Sequence, residues 1–166
     1  MSRPGGGGLQ GMSTDTEPQI VELPVATTAV VRGVVPVAEL SAFFDRAFPT
    51  VGAVLGRQGI VPAGPGFALY HGAPASSADL EVGFVTDRAV EPTDGVEAGT
   101  LPGGRAARLV HAGGYDGLGT AWERLRSWIE ARGLTPAGDV WEVYVTRPTP
   151  STDPADLRTE LYWPLA

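Results

Sequence analysis

Gly59–Tyr70 (GIVPAGPGFALY) and Gly133–Tyr144 (GLTPAGDVWEVY) are the two stretches that decide the fold of this chain. Aligned without a gap, they share the first glycine, the Pro-Ala-Gly turn, an aromatic residue and the final tyrosine. Each stretch follows a helical pattern of apolar residues and runs into a strand pattern. The match predicts two copies of a strand-helix-strand-strand unit related by a pseudo-twofold axis. The alternative is that Pro-Ala-Gly is a common turn and the match is accidental.

The elements around these stretches follow the same order in both halves of the chain. Apolar residues recur at helical spacing after Pro36 and after Gly117, and Gly133 stands where a left-handed helix cap belongs. Pro49 interrupts the first helical pattern and predicts a kink or a break. The predicted strands are 20–35, 67–71, 80–85, 95–101, 105–111, 141–146 and 158–163, and the predicted helices are 36 to about 56–59 and 117–132. These elements predict an α+β fold in which a mainly antiparallel sheet carries a helix from each unit on one face.

Length and composition are those of one globular domain. The chain has 166 residues, of which 43% are hydrophobic. We expect residues 1–17, which are polar and rich in glycine, to be a disordered tail in which Met12 is a second candidate start, and residues 18–166 to form the domain.

Several classes of site are disfavoured by the composition. The chain has no cysteine, and His71 and His111 lack metal-ligand spacing, so we expect no metal and no cofactor. A net charge of −7 argues against a direct nucleic-acid surface. No apolar run reaches transmembrane length and no signal segment opens the chain. A cytoplasmic protein, monomeric or dimeric, is the default expectation.

Side-chain alternation divides the predicted strand residues into two sets. The set expected under the helices is almost entirely apolar: Phe67, Leu69, Leu80, Val82, Phe84, Trp141, Val143, Leu161 and Trp163. The other set collects tyrosines and carboxylates: Tyr70, Glu81, Glu142, Tyr144, Glu160 and Tyr162. Gathered on the face without helices, the second set predicts a concave surface suited to a flat apolar molecule, especially a cation. The alternative is an ordinary solvated sheet face.

Glu160 is the most conspicuous member of the polar set. It lies among aromatic residues in the last predicted strand, and a carboxylate in such a strand is costly unless it is paired, hydrogen-bonded or meets a ligand. The alternative is a strand at the sheet rim with Glu160 in water.

Five segments resemble, in order, those of the GyrI-like small-molecule-binding domain family, which is related to the effector-binding domains of bacterial transcription activators. They are Phe67–Gly72, Asp79–Phe84, His111–Tyr115, Trp141–Tyr144 and Thr159–Leu165. One departure is Gly114, where the family usually has proline before the tyrosine; we expect Tyr115 to keep its place. The resemblance implies the duplicated fold, a ligand groove between the repeats and a central glutamate, here Glu160, that meets the ligand.

Members of that family do at least three jobs. Some are sensory domains fused to a DNA-binding helix-turn-helix, some stand alone and inhibit gyrase or bind drugs, and some look like hydrolases that open the cyclopropane ring of DNA-alkylating natural products. The segment before Ile20 is too short and polar for a helix-turn-helix, so a regulator would need a separate DNA-binding partner. We therefore expect a stand-alone protein that binds flat hydrophobic or cationic molecules and hydrolyses a cyclopropanoid genotoxin, as in self-protection or drug resistance. The alternative is a non-enzymatic drug-sequestering or effector-sensing module.

Hydrolysis assigns roles to particular side chains. Ring opening needs an activated water and a donor to the developing oxyanion, but no covalent nucleophile. Glu160 is the expected general base, with Glu142 as the next candidate, and Tyr144 or Tyr115 is the expected donor. The residues expected to contact the ligand are Tyr70, Phe48, Glu81, Glu142, Tyr162, His71, Trp141 and Trp163. By alternation the two tryptophans also fit the core, and both histidines also fit structural roles.

Overall fold

The computed structural model describes residues 16–72, 76–146, 151 and 153–166. Within them, eight strands form one antiparallel sheet that carries two helices. The strands are β1 Gln19–Leu23, β2 Ala26–Pro36, β3 Pro62–Tyr70, β4 Ser77–Thr86, β5 Val96–Leu101, β6 Gly104–Ala112, β7 Val140–Tyr144 and β8 Arg158–Pro164, and the helices are α1 Leu40–Gln58 and α2 Leu118–Ala131. Most of the predicted tail, residues 1–15, lies outside the described residues, whereas Thr16 already hydrogen-bonds β6 through Val110 (3.0 Å).

The predicted duplication and the α+β fold class are confirmed. The sheet order is β1-β6-β8-β7-β3-β4-β2-β5, so the units β2-α1-β3-β4 and β6-α2-β7-β8 face each other across the β3–β7 pair. Phe67 pairs with Val143 and Leu69 pairs with Trp141, while Ala68 pairs with Glu142. In the repeat alignment Phe67 corresponds to Trp141 and Leu69 to Val143, so the two copies exchange partners. The pseudo-twofold axis therefore passes through the Ala68–Glu142 pair.

Two helices cover one face of the sheet, which we call the outer face. Helix α1 packs through Phe43, Ala47, Val51 and other apolar residues on β2, β3 and β4, and α2 packs through Leu125 and Ile129 on β6 and β8. Helix α1 continues through Pro49, so the predicted break is absent. Pro49 is solvent-exposed, and the buried Ala47 and Val51 on either side keep the helix seated on the sheet.

The opposite face, which we call the inner face, is also buried because the sheet curls. Strand β1 lies at one end of the sheet and β2 lies near the other, yet only two residues, Pro24 and Val25, join them. The two ends of the sheet are therefore brought together on the side without helices. Leu23 from β1 and Leu101 from β5 join one apolar cluster there with Val30, Phe67, Leu69 and Trp141.

This second core corrects the predicted division of the strand residues. Phe67, Leu69, Trp141 and Val143 were expected under the helices but lie on the inner face, whereas Tyr70, Glu142 and Tyr144 lie under the helices. Glu81, Glu160 and Tyr162 do point away from the helices, as predicted. Alternation determines which residues of one strand share a face, but it does not relate neighbouring strands. Since both faces of the sheet are buried, hydrophobicity could not show which set of residues in one strand shares a face with which set in the next strand.

An ionic cluster joins the two copies at one end of the β3–β7 pair. His71 follows β3, and its Nδ1 lies 2.7 Å from Asp139 Oδ2, just before β7, while its Nε2 lies 2.6 Å from Glu81 Oε2 on β4. Burial opposes protonation of His71, but the hydrogen bonds and charges of Asp139 and Glu81 outweigh it and raise the His71 pKa. A protonated ring can donate to both carboxylates at once.

Gly83 tests how closely β2 and β4 approach. A Cβ at Gly83 would lie 1.8 Å from the backbone oxygen of Ala29, so Gly83→Ala should destabilise the fold by about 1–3 kcal/mol or more. Gly52→Ala is the control, because that exposed α1 position has no atom within 4 Å of the added methyl. It should raise stability by up to about 1 kcal/mol. Urea unfolding measures both, and equal stability of Gly83→Ala and wild type would contradict the described approach of the strands.

His71 should make stability depend on pH. Because its folded pKa is raised, its protonated form adds stability that is fully present below the unfolded pKa of about 6.5 and is lost as the pH rises through the folded pKa. The unfolding free-energy difference between wild type and His71→Gln should therefore be larger at about pH 6 than at about pH 8. Asp139→Asn should lower the His71 pKa measured by NMR. A pH-independent difference between wild type and His71→Gln would rule out the charged link.

Candidate functional site

Glu142 lies at the centre of the outer face, where the pseudo-twofold axis crosses the sheet. Its side chain is under the helices and the residue is only 6% exposed. Trp122 Nε1 on α2 donates to Glu142 Oε2 (2.7 Å), and the Tyr144 hydroxyl donates to Oε1 (2.8 Å). Burial raises the pKa of Glu142 above its ordinary value, although the bonds from Trp122 and Tyr144 and the nearby His111 favour the carboxylate.

The local sequence explains how a carboxylate is accommodated there. Glu142 faces Ala68 on β3 and Leu161 on β8, and the small Ala68 side chain leaves room beside it. Helix α2 is seated by the buried Leu125 and Ile129, which hold Trp122 above the strand. The register of β7 with β3 and β8 thus places the Glu142 carboxylate, and the hydrogen bond from the Trp122 indole on α2 holds it from the helix side.

Aromatic side chains surround Glu142 on the side of α1. The Tyr144 ring makes edge contacts with Phe44, Phe48 and Tyr115 at centroid distances of 6.1, 6.1 and 5.9 Å. Tyr70 packs against the same core cluster as Tyr144. We call Glu142, Trp122, Tyr144, Tyr70, Tyr115, Phe44 and Phe48 the outer-face site.

The two deepest hydroxyls of the site remain protonated at neutral pH. Burial, followed by the charge of Glu142, raises the pKa of Tyr144 well above its ordinary value. The same two causes raise the pKa of Tyr70. Both tyrosines can therefore act as hydrogen-bond donors to a carboxylate or to an oxyanion.

Tyr115 forms the outward side of the site. It is 41% exposed and begins the short 3₁₀ turn that leads into α2. His111 Nε2–H donates to the backbone oxygen of Gly114 (2.9 Å), which ties this turn to β6. Gly114 has φ −69° and ψ 162°, a conformation that proline also adopts, so the departure at this position leaves Tyr115 in contact with Tyr144.

Glu160 lies on the inner face, where its charge is paired. Arg108 donates to Glu160 Oε2 (2.6 Å) and the Tyr162 hydroxyl donates to Oε1 (2.8 Å), while Arg108 Nε donates to the Tyr162 oxygen (3.1 Å). The Trp141 ring stacks on Tyr162 at 5.2 Å. The prediction that Glu160 and Tyr144 share a face was therefore wrong, and the structure separates them by the thickness of the sheet.

The remaining predicted site residues divide between the two faces. Phe48, Tyr70 and Glu142 belong to the outer-face site, and Trp163 lies behind it, edge-on to Trp122 (5.7 Å). Glu81 and His71 line a depression of about 470 Å³ at the mouth of the inner face, which is also lined by Arg32, Glu97, Gly99 and Asp139. The site residues therefore form two separate groups.

Trp122 is the functional candidate that sequence reasoning missed. It lies on the apolar stripe of α2, where a tryptophan fits a core position, and only its indole nitrogen distinguishes it. Its hydrogen bond to Glu142 depends on the register of β7 under α2 and leaves no signal in the helical pattern. Arg108 was missed too, although an arginine in an apolar strand points to a carboxylate partner.

The described part of the chain has neither a cluster of metal-ligand side chains nor a helix that could cross a membrane. Its His, Asp and Glu side chains include no group of three or more that could hold a metal ion. None of its helices has the length and apolarity needed to cross a bilayer.

Solved structures share this fold at low identity. The EcmrR C-terminal domain superposes with a TM-score of 0.80 and 20% identity over 94% of this chain and 99% of that domain. With EcmrR in its DNA complex the TM-score is 0.79 at 22% identity, and the match covers 90% of this chain but 57% of EcmrR, so the chain spans little more than half of that protein.

Two further neighbours are more distant. A hydrolase from Listeria innocua has a TM-score of 0.62 and 14% identity over 90% of this chain and 92% of its own. SAV2435 bound to tetraphenylphosphonium has a TM-score of 0.62 and 13% identity over 91% and 94%. No curated protein matches the chain in sequence.

The profile of one protein family covers all of the described residues. It matches residues 16–166, which include both copies of the repeat and the whole outer-face site. The chain belongs to the family of the GyrI-like small molecule binding domain.

Proposed function

We propose that the outer-face site binds flat, hydrophobic organic cations, with Glu142 as the counter-charge. The observation that carries this proposal is a single buried carboxylate on the pseudo-twofold axis, enclosed by aromatic rings. Its described hydrogen bonds come from neutral groups, the Trp122 indole and the Tyr144 phenol. A ligand cation would favour the ionised carboxylate that burial disfavours.

The aromatic rings supply the second half of the recognition. The negative faces of phenyl and phenol rings attract a cation and stack on a planar body. A lipophilic cation would thus gain from Phe44, Phe48 and Tyr144 as well as from the carboxylate. The likeness to SAV2435, whose structure holds tetraphenylphosphonium, supports a hydrophobic cation as the ligand.

Access to the site would pass by Tyr115. This ring is the exposed member of the cluster, and its 3₁₀ turn follows Gly113, which has a left-handed φ of 125°. A displacement of the turn would open the aromatic cluster toward solvent without moving β7. The site would then bind its ligand by exchanging the Tyr115–Tyr144 contact for a contact with the ligand.

Hydrolysis of a cyclopropanoid genotoxin is the second candidate, and a specific observation favours it. Burial raises the pKa of Glu142, and a carboxylate with a raised pKa is a better general base. The fold is shared with a Listeria innocua hydrolase. In this reaction the water oxygen bonds to the ring methylene, the ring C–C bond breaks, and its electron pair passes through the dienone to make a phenolate.

The geometry favours Glu142 over Glu160 as the base. Glu142 would take the proton of the attacking water, while a tyrosine would donate to the developing oxyanion. The Tyr144 proton is already directed to Glu142, so Tyr115 is the preferred donor of the two predicted tyrosines. Glu160, held by Arg108, serves the packing of the inner face. Such an activity would protect its host from an alkylating toxin.

Binding is tested by a matched pair of charge-removing variants. Glu142→Gln should raise the Kd for tetraphenylphosphonium at least about 30-fold, because a buried charge partner is worth about 2 kcal/mol or more. It should change the Kd for neutral triphenylphosphine oxide by less than about threefold. Glu160→Gln is the control and should leave both affinities nearly unchanged. Isothermal titration calorimetry measures all three proteins, and a selective loss in Glu160→Gln instead would move the counter-charge to the inner face.

Catalysis is tested with a spirocyclopropyl dienone and mass detection of the water adduct. Glu142→Gln should slow hydrolysis by about a hundredfold or more, the range expected for loss of a general base. Tyr115→Phe should lower the rate while leaving binding largely intact. The rate should fall at low pH, as Glu142 is protonated around a pKa above its ordinary value. Tight binding without any adduct over hours would reject the hydrolase and leave sequestration.

A further inference from the structure

Two aromatic pairs on the outer face are equivalent under the pseudo-twofold axis. The ungapped repeat alignment, extended back into the helices, matches Phe48 on α1 with Trp122 on α2. The last strands of the two units, β4 and β8, contain the equivalent glutamates and match Phe84 with Trp163. The ring centroids are 5.7 Å apart in both pairs, and the interplanar angles are 63° for Phe48–Phe84 and 74° for Trp122–Trp163. The two copies thus keep one edge-to-face pair although the residues differ, and we call the pairs the aromatic corners.

The inner ring of each corner is placed by its helix over a central strand. Each of these rings follows a buried alanine on its helix, so the same turn of both helices is seated on the sheet. A Cβ at Gly66 on β3 would lie 2.5 Å from the Phe48 ring, while the Trp122 indole donates to Glu142 on β7. The two inner rings therefore lie over the two strands that meet at the axis.

The outer rings of the corners lie in opposite directions from the axis. In the sheet order, β4 lies beyond β3 and β8 lies beyond β7, so Phe84 and Trp163 are on opposite sides of the β3–β7 pair. All four residues of the corners are only partly buried, so each keeps surface that a ligand can contact. Glu142 lies between the corners, which places one carboxylate between two aromatic surfaces.

This arrangement matches a particular shape of cation. Two inclined rings can hold a third ring through a stacked contact with one and an edge contact with the other. A cation with all of its rings on one side can fill only one corner while its charge stays near Glu142. A cation with a ring on each side can fill both corners at once.

We infer that the outer-face site selects cations that carry two aromatic arms, one on each side of the charged centre. One arm would lie against Phe48 and Phe84. The other would lie against Trp122 and Trp163, while the cationic centre stays near Glu142. This inference rests on the proposed binding of cations at Glu142, and it adds the shape of the ligand and the two outer rings.

Two isomeric cations test the arrangement. Dibenzyldimethylammonium has one benzyl arm on each side of its quaternary nitrogen, whereas (biphenyl-4-ylmethyl)trimethylammonium has the same atoms with both rings on one side. Because charge, composition and number of rings are equal, a difference in Kd reports the placement of the rings. Isothermal titration calorimetry should give the two-armed isomer a Kd at least about tenfold lower, since it fills the second corner. Equal affinities, or tighter binding of the biphenyl isomer, would overturn the inference.

Variants of the outer rings test each corner separately. Phe84→Leu and Trp163→Leu each remove the outer ring of one corner and leave its inner ring and Glu142 in place. Each should reduce the preference for the two-armed isomer to about threefold or less, because one complete corner remains. The control is Trp128→Leu on α2, whose ring is covered by Arg132 at 4.3 Å and belongs to neither corner. It should leave the preference unchanged, and a preference that survives both corner variants would reject the two-armed arrangement.

Glu142→Gln separates this inference from the proposed function. It should weaken both isomers by a similar factor, because the two carry the same charge. If it does so while the isomers bind wild type equally, cation binding at Glu142 stands and the two-armed arrangement is wrong. If it weakens neither isomer, the counter-charge lies elsewhere and both proposals are wrong.

Discussion

The antiparallel pairing of β3 with β7, with Ala68 opposite Glu142, is the constraint on which the rest of the structure depends. It joins the two copies of the repeat and defines the pseudo-twofold axis. A residue on one side of the axis pairs with the equivalent of the residue on the other side, as Phe67 does with Val143, whereas the two residues on the axis pair with each other. Two glutamates there would repel at short range in a dry environment. The combination of one glutamate with one alanine gives a duplicated fold a single central carboxylate and the space to hold it.

The three strand carboxylates show how environment separates residues of one type. Glu81 and Glu160 occupy equivalent positions on the inner face, opposite Leu69 and Val143, and each is bound to a basic side chain, His71 or Arg108. Glu142 is on the other face and accepts its described hydrogen bonds from neutral donors. The charges of the first two are compensated within the chain. The third has a raised pKa, and under the proposed function a ligand cation would balance its charge.

The curl of the sheet explains why the inner face is not simply a solvated surface. The two-residue connection of β1 to β2 forces the ends of the sheet together, and apolar residues from both ends close the space between them. The helices close the outer face in the same way, except between them, where aromatic rings and Glu142 take the place of aliphatic packing. Both surfaces of the sheet are thus buried, and each has polar residues at its edge. At the edge of the inner face these are His71, Asp139 and Glu81, and at the edge of the outer face they belong to the turn that begins at Tyr115.

The sequence by itself determined the duplication, the helices and most of the strands, because turn residues and apolar periodicity act over short distances. The repeated Pro-Ala-Gly turns, the stripe on α2 and Gly133, with its left-handed φ of 70°, all correspond to features of the structure. It also singled out the tyrosines and glutamates that the structure divides between the two faces. Only the tertiary structure decided which of them meet. Strand register places Glu142, and not Glu160, beside Tyr144, and helix docking adds Trp122. The pairing of strands that are distant in sequence decides which of their side chains lie on the same face of the sheet. Because both faces are buried, the pattern of hydrophobic residues within one strand does not predict this.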